Sequence, residues 1–186
     1  TVYVLKSWLN EIRFHCQSWW DIGSGEGGGL AMNDGITSCI NVLRSVFLHL
    51  DQKGVKLLNL DDEDLFEAIK PYASALGNHF GKMSTEDRKG FRDLRGVQGQ
   101  NVRTRRCQHA IREQIPGFNP PGLDEFMKLE KEKTNLRAKE VIDRIETTLQ
   151  SVVLEELKRE YGQSENEWWV LGVPKKVRME VGTRYE

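Results

Sequence analysis

"DIGSGEGGGLAMNDGITSC", residues 21–39, decides the fold class. Five glycines occupy seven positions here, and Gly23, Gly25 and Gly28 stand in the spacing G-x-G-x-x-G. A strand entering this loop would make the chain a doubly wound α/β protein with a dinucleotide site, because the glycines then let backbone approach pyrophosphate at the next helix. A helix entering it would make the loop a connection between two helices. Upstream, Leu5, Trp8, Leu9, Ile12 and Cys16 recur at intervals of three and four, which predicts an amphipathic helix over residues 2–18. The P-loop alternative requires Lys and Ser or Thr directly after the last glycine, where this chain has Leu30 and Ala31. Glu26 would also repel phosphate. The stretch therefore reads as a flexible connection that lets Trp19, Trp20, Leu30 and Met32 share one apolar surface, with Asn33 or Asp34 capping the following helix.

Working outward, helical spacing dominates. Ile36, Ile40, Leu43, Val46, Phe47 and Leu50 form the strongest stripe, closed by Gly54. Asp61–Asp64 reads as the acidic start of a helix carrying Leu65, Ile69, Tyr72, Leu76 and Phe80, which Pro71 is expected to kink or split. Ser84 starts a short helix that Gly96 stops; Gly96 and Gly99 bracket a turn before a helix over 100–115. "GFNPPG", residues 117–122, then forces a break. A long helical pattern runs from Leu123 to about Tyr161, with Glu140–Arg144 and Glu155–Arg159 as i, i+4 pairs and a possible break near 131–135. The expected fold is all-α: an irregular bundle of six to eight helices, built around the 36–53 helix and the long helix of the C-terminal third. The expected organisation is a bundle over residues 1–162 and, over 163–186, the start of a helical appendage with a Trp168–Trp169 anchor and a basic helix.

Length and composition narrow the function classes. At 186 residues, 30% of them charged, the chain suits one domain with a core and has no apolar run long enough to cross a bilayer, so a membrane role is not expected. Three well-separated cysteines, Cys16, Cys39 and Cys107, give no disulfide framework and fit the cytoplasm. No spacing of Cys and His suits zinc, and no cofactor is expected. The first residue is not Met and the last residues break off at "GTRYE", which reads as a piece of a longer chain.

One segment departs from the near-neutral whole. Residues 88–112 hold eight Arg and Lys against the single acid Asp93, a net +7 in a chain whose total is −1. Arg88, Arg92 and Arg95 form one cationic stripe; Arg105, His109 and Arg112 form a second, while Cys107, Ile111 and Ile115 line an apolar face of the same helix. Two short cationic helices joined by a glycine turn can hold DNA or RNA by its phosphates, positioning the strand without reading bases. The predicted phosphate-facing set is Arg92, Arg95, Arg103, Arg105, Arg106, His109 and Arg112. The competing expectation is that these arginines pair with the acidic helices of 61–67 and 140–160 or with the rest of the parent polypeptide; a separate alternative is a platform for interaction with another protein or for oligomerisation, using the tryptophan-rich ends. Arg103 and His109, enclosing five residues, resemble in spacing the pair of helical HEPN-superfamily ribonucleases, and that resemblance implies a third: an Arg and a His flanking a scissile phosphate.

The phrases "GGGLAMNDGITSCINVLRSVF", "FRDLRGVQGQNVRTRRCQHAIREQIPGFNPPGLDEF" and "EWWVLGVPKKVR" resemble the region after the core of bacterial DGQHR-domain proteins, relatives of the DNA phosphorothioation-linked regulator and of ParB-like proteins. The resemblance extends over nearly the whole chain, although the name-giving pentapeptide does not occur in it. It implies a C-terminal helical module of a larger protein linked to DNA modification, mobile elements or phage defence, which we expect to be noncatalytic. Trp168–Arg178 also resembles the entry to HEPN-like helical domains, whose Arg-Asn-x-x-x-His motif is absent, so no catalytic residue is carried over.

Overall fold

The computed structural model describes residues 2–182, so the last four residues of the expected appendage lie outside the described residues. Eight helices and no strand occur among the described residues: α1 (Val2–Trp20), α2 (Asn33–Gln52), α3 (Asp62–Lys82), α4 (Thr85–Asp93), α5 (Gly96–Gln114), α6 (Leu123–Tyr161), the short α7 (Glu165–Glu167) and α8 (Lys175–Gly182). The fold is all-α. The chain divides into two compact units, residues 1–128 and 129–186. The sequence reading places a boundary at 162, after the long helix; the division by contacts falls inside α6.

In the first unit α1 lies along α3, and α2 lies along α5. Val4, Trp8, Ile12, Cys16 and Trp19 of α1 are buried, a spacing of four and then three that keeps one face inward. The backbone leaves helical geometry at Cys16 (φ −133°, ψ 31°). Beyond that kink Trp19 meets Phe80 and Phe91 edge-on, with centroids 5.7 and 5.8 Å away. Two glycines of α3 let the α1 backbone come close: a Cβ on Gly77 would stand 2.8 Å from the Ile12 carbonyl oxygen, and one on Gly81 would strike the His15 carbonyl. Pro71 neither splits nor interrupts α3, which runs through it as one helix with the proline on its exposed side. Asp61 caps α3, accepting from the Glu63 and Asp64 amides at 3.0 and 2.8 Å, so this acidic run is a helix start.

Helix α2 ends as its sequence predicts. Gly54 (φ 83°) sits just past the cap, with the Gly54 amide on Asp51 O and the Val55 amide on Leu50 O, the paired bonds of a Schellman turn. Ser84 and Asp87 form a reciprocal capping box on α4. Helix α5 starts earlier than expected: Gly96 (φ 68°) is the elbow, and Gly99 lies inside the helix, where a Cβ would stand 2.5 Å from the Leu94 carbonyl carbon. The break at 115–122 folds Phe118 under the unit, 5.2 Å from the His49 ring and 5.6 Å from Tyr72.

The long helix corrects another expectation. α6 is unbroken over 39 residues, and Leu123 is its one buried residue. Leu136, Ile142, Ile145, Leu149 and Val152 are each more than half exposed, so the helix expected to carry the core carries none along this stretch. Arg159 pairs with Glu156 rather than Glu155. In the second unit Leu157 and Tyr161 close on Gly172, whose missing side chain leaves them room, and Trp168 packs edge-on against Trp169 at 5.9 Å.

Candidate nucleic-acid interface

The glycine loop is wound, not slack. Successive amides of Gly23, Gly25, Gly28 and Gly29 bond to carbonyls of Trp20, Ile22, Gly25 and Gly23, and Trp19 Nε1 donates to Gly27 O at 3.1 Å. A Cβ on Gly28 would strike the Gly23 carbonyl, which explains the small residue there. The expected flexible connection is thus a compact turn. It delivers α2 with Met32 as N-cap and no side-chain cap, although Asn33 and Asp34 stand one and two positions further on. Among the described residues the first-turn amides of α2 therefore have no side-chain acceptor, at the end of a 20-residue helix where the dipole is positive.

The α4–α5 elbow faces this helix end. Gly29 (φ 134°) lies against the stem of Arg92, whose Cγ would be 3.2 Å from a Cβ at that position. Arg92, Arg95 and Arg103 line one cavity of about 650 Å³ with Ser24, Met32, Asn33 and Asp34. Arg92 is half-buried and Arg95 exposed, and neither side chain hydrogen-bonds or ion-pairs with a described residue.

Arg103 departs from its expected role. It is 2% exposed; Nε donates to Phe91 O at 2.8 Å and Nη2 to Arg92 O at 3.3 Å, and its guanidinium stands 5.6 Å from the Phe91 ring centroid. Those carbonyls end α4, so Arg103 closes the negative end of that helix. Its Nη1 lies 3.2 Å from Asp34 Oδ2 yet makes no hydrogen bond.

The other predicted residues scatter. Arg105 Nη1 donates to Gln108 Oε1 at 2.9 Å and Pro121 O at 2.7 Å, beside a separate polar cavity that also includes Arg44 and His49. Arg112 Nη1 is held by Asp124 at 2.6 Å and Asn119 at 3.1 Å, and hydrogen bonds from Asn119 and Arg112 keep the Asp124 carboxyl below its usual range. Arg106 and His109 line a third cavity with His79 and Asp87, and His109 Nδ1 is 3.9 Å from Glu113. The predicted stripe of Arg105, His109 and Arg112 is thus largely engaged by the protein itself. Arg103 and His109 line different cavities, because six residues along a helix turn the side chain to another side.

No thiol here is a ready nucleophile. Burial pushes Cys16 and Cys107 up to about 12, so both stay protonated at neutral pH. Arg88, read as part of the cationic stripe, lies 5.4 Å over the Trp19 ring, which assigns it to packing. The uncapped start of α2 was missed from sequence; its signal was a methionine standing directly before two good capping residues. Among the described residues no helix is long and apolar enough to cross a membrane. No protein-family model, curated protein or solved structure matches this chain.

Proposed function

We propose that the chain is a noncatalytic helical module that holds nucleic acid by its phosphates through the α4–α5 pair. One observation carries the reading: Arg92 and Arg95, with no partner for either guanidinium among the described residues, line one cavity with the uncapped amino end of α2. Cations beside a helix amino end favour phosphate by charge and by amide donors together. The active set is narrower than the sequence suggests, centring on Arg92 and Arg95, with Arg103 as the buried support behind them. The resemblance to DGQHR-domain proteins supports a cytoplasmic parent protein linked to DNA modification or phage defence.

The test is retention of labelled DNA and RNA by the Arg92→Glu/Arg95→Glu double variant. The reading expects retention to drop by more than about tenfold with little change in melting temperature, since neither guanidinium has a partner among the described residues and Glu keeps the inner part of the Arg92 stem that lies against Gly29. Unchanged retention overturns it. A second reading, a protein-interaction platform, is favoured by a different observation: the apolar face of α6 at Ile142, Ile145, Leu149 and Val152, each over half exposed. At the tryptophan-rich amino end Trp8 and Trp19 are fully buried, which leaves only Trp20 partly exposed there.

A further inference from the structure

Resting on that phosphate-binding reading, we infer that the cavity at the amino end of α2 takes a terminal phosphate of a nucleic acid, a phosphomonoester, rather than a diester inside the strand. The charge balance of the walls is the first reason. Arg92, Arg95 and Arg103 face Asp34 as the one acid, a net +2 to which the helix dipole adds. A phosphodiester brings a single charge, whereas a phosphomonoester brings roughly −1.5 to −2 at pH 7 and three acceptor oxygens.

Depth is the second reason. Phe91 and Arg103 are each 2% exposed and Gly29 is buried, so the cavity has a floor of side chain and loop backbone. A phosphate within a strand carries chain on both sides and presents only its outer oxygens to such a floor. A terminal group can enter end-on, and about 650 Å³ leaves room for the attached sugar.

The third reason is a donor held by an ion pair alone. Arg103 Nη1 is buried and pairs with Asp34 Oδ2 at 3.2 Å without a hydrogen bond of good geometry, whereas most buried donors have one. Asp34 is the neighbour that an incoming oxygen has to share it with. Its side chain is 59% exposed and so has room to turn outward. Replacing that carboxylate by an amide removes the one repulsive charge on the wall and leaves the three arginines in place.

Binding of one short oligonucleotide is measured in three forms: 5′-phosphorylated, 3′-phosphorylated and hydroxyl at both ends, with inorganic phosphate as competitor. An end-phosphorylated form is expected to bind about tenfold or more tightly than the hydroxyl form, as one or two added charge-assisted hydrogen bonds supply. Asp34→Asn should widen that preference, and Arg92→Gln/Arg95→Gln should erase it while the melting temperature holds. Equal affinity for all three forms overturns the inference and leaves the phosphate reading standing. Inorganic phosphate binding as tightly as the phosphorylated end marks a free-anion site and also overturns it. Failure of every form to bind overturns the phosphate reading and this inference with it.

Discussion

Helices α2 and α6 carry the same kind of apolar spacing and meet opposite fates. α2 buries eight residues in 20, among them Cys39, Val42, Leu43, Val46 and Leu50, whereas α6 buries Leu123 alone in 39. Periodicity dictates a helix and a face, and says nothing of what covers the face. What distinguishes α2 is the company of small and polar groups placed for a neighbour. Ser45 receives a hydrogen bond from Gln108 of α5 at 2.7 Å, and the Cys39 carbonyl receives one from Trp8 of α1 at 3.1 Å. Among the described residues α6 shows no comparable cross-helix bond along Leu136–Val153; its hydroxyls at Thr147, Thr148 and Ser151 turn back to their own helix.

The comparison breaks if the two helices respond alike to truncation. Trp8→Ala should cost about 3–5 kcal/mol in denaturant unfolding, because a fully buried indole and its bond to Cys39 disappear together. Ile145→Ala on α6 should move the same midpoint by no more than about 0.5 kcal/mol, its side chain being over half exposed. Equal losses would mean that the α6 face is covered in solution.

A smaller effect sharpens the contrast between packed and open helix surface. Gly81→Ala puts a Cβ against the His15 carbonyl, a backbone atom that cannot swing aside, and should destabilise by roughly 1–3 kcal/mol. Gly90→Ala, with nothing within 4 Å of the new methyl, should stabilise by roughly 0.5–1 kcal/mol through helix propensity alone. Calorimetric melting of the two variants reads opposite signs, and the same sign in both would refute the close α1–α3 approach.

The smallest effect follows pH. Burial, with Lys53 nearby, holds His49 below its usual range, and its Nε2 has no acceptor while its ring meets Tyr72 and Phe118 edge-on. The unfolded chain therefore takes up this proton first. Stability from the neutral ring is present above about pH 6.5 and drains as pH falls through that value toward the folded one. In urea titrations between about pH 8 and about pH 5, His49→Gln should flatten the loss relative to the parent. A parallel pair of curves would remove His49 from the acid response.

Much of this was legible in the residues. The Leu5–Cys16 spacing, the Gly54 stop, the Ser84 start and the break at "GFNPPG" each rest on local chemistry, and the structure realises each of them. The α1–α3 approach at Gly77 and Gly81 was not legible, because a glycine in a helix marks a neighbour only once that neighbour is known. The candidate site was legible in charge and not in geometry. Eight cations in residues 88–112 identify the segment. Which of them stay free depends on acceptors distant in sequence: Pro121 O takes Arg105, Asp124 takes Arg112, and the α4 carboxyl end takes Arg103. The helical spacing before the glycine loop rules out a strand there, but it carries no sign that the loop packs on Arg92.

The most direct test of the central claim is the salt dependence of oligonucleotide affinity for the parent chain and for Arg92→Gln/Arg95→Gln. Each arginine–phosphate pair removed should reduce the slope of log K against log salt by about 0.7–0.9, so the double variant should show a slope shallower by roughly 1.4–1.8 together with weaker binding. Identical slopes and affinities in the two proteins would contradict the claim.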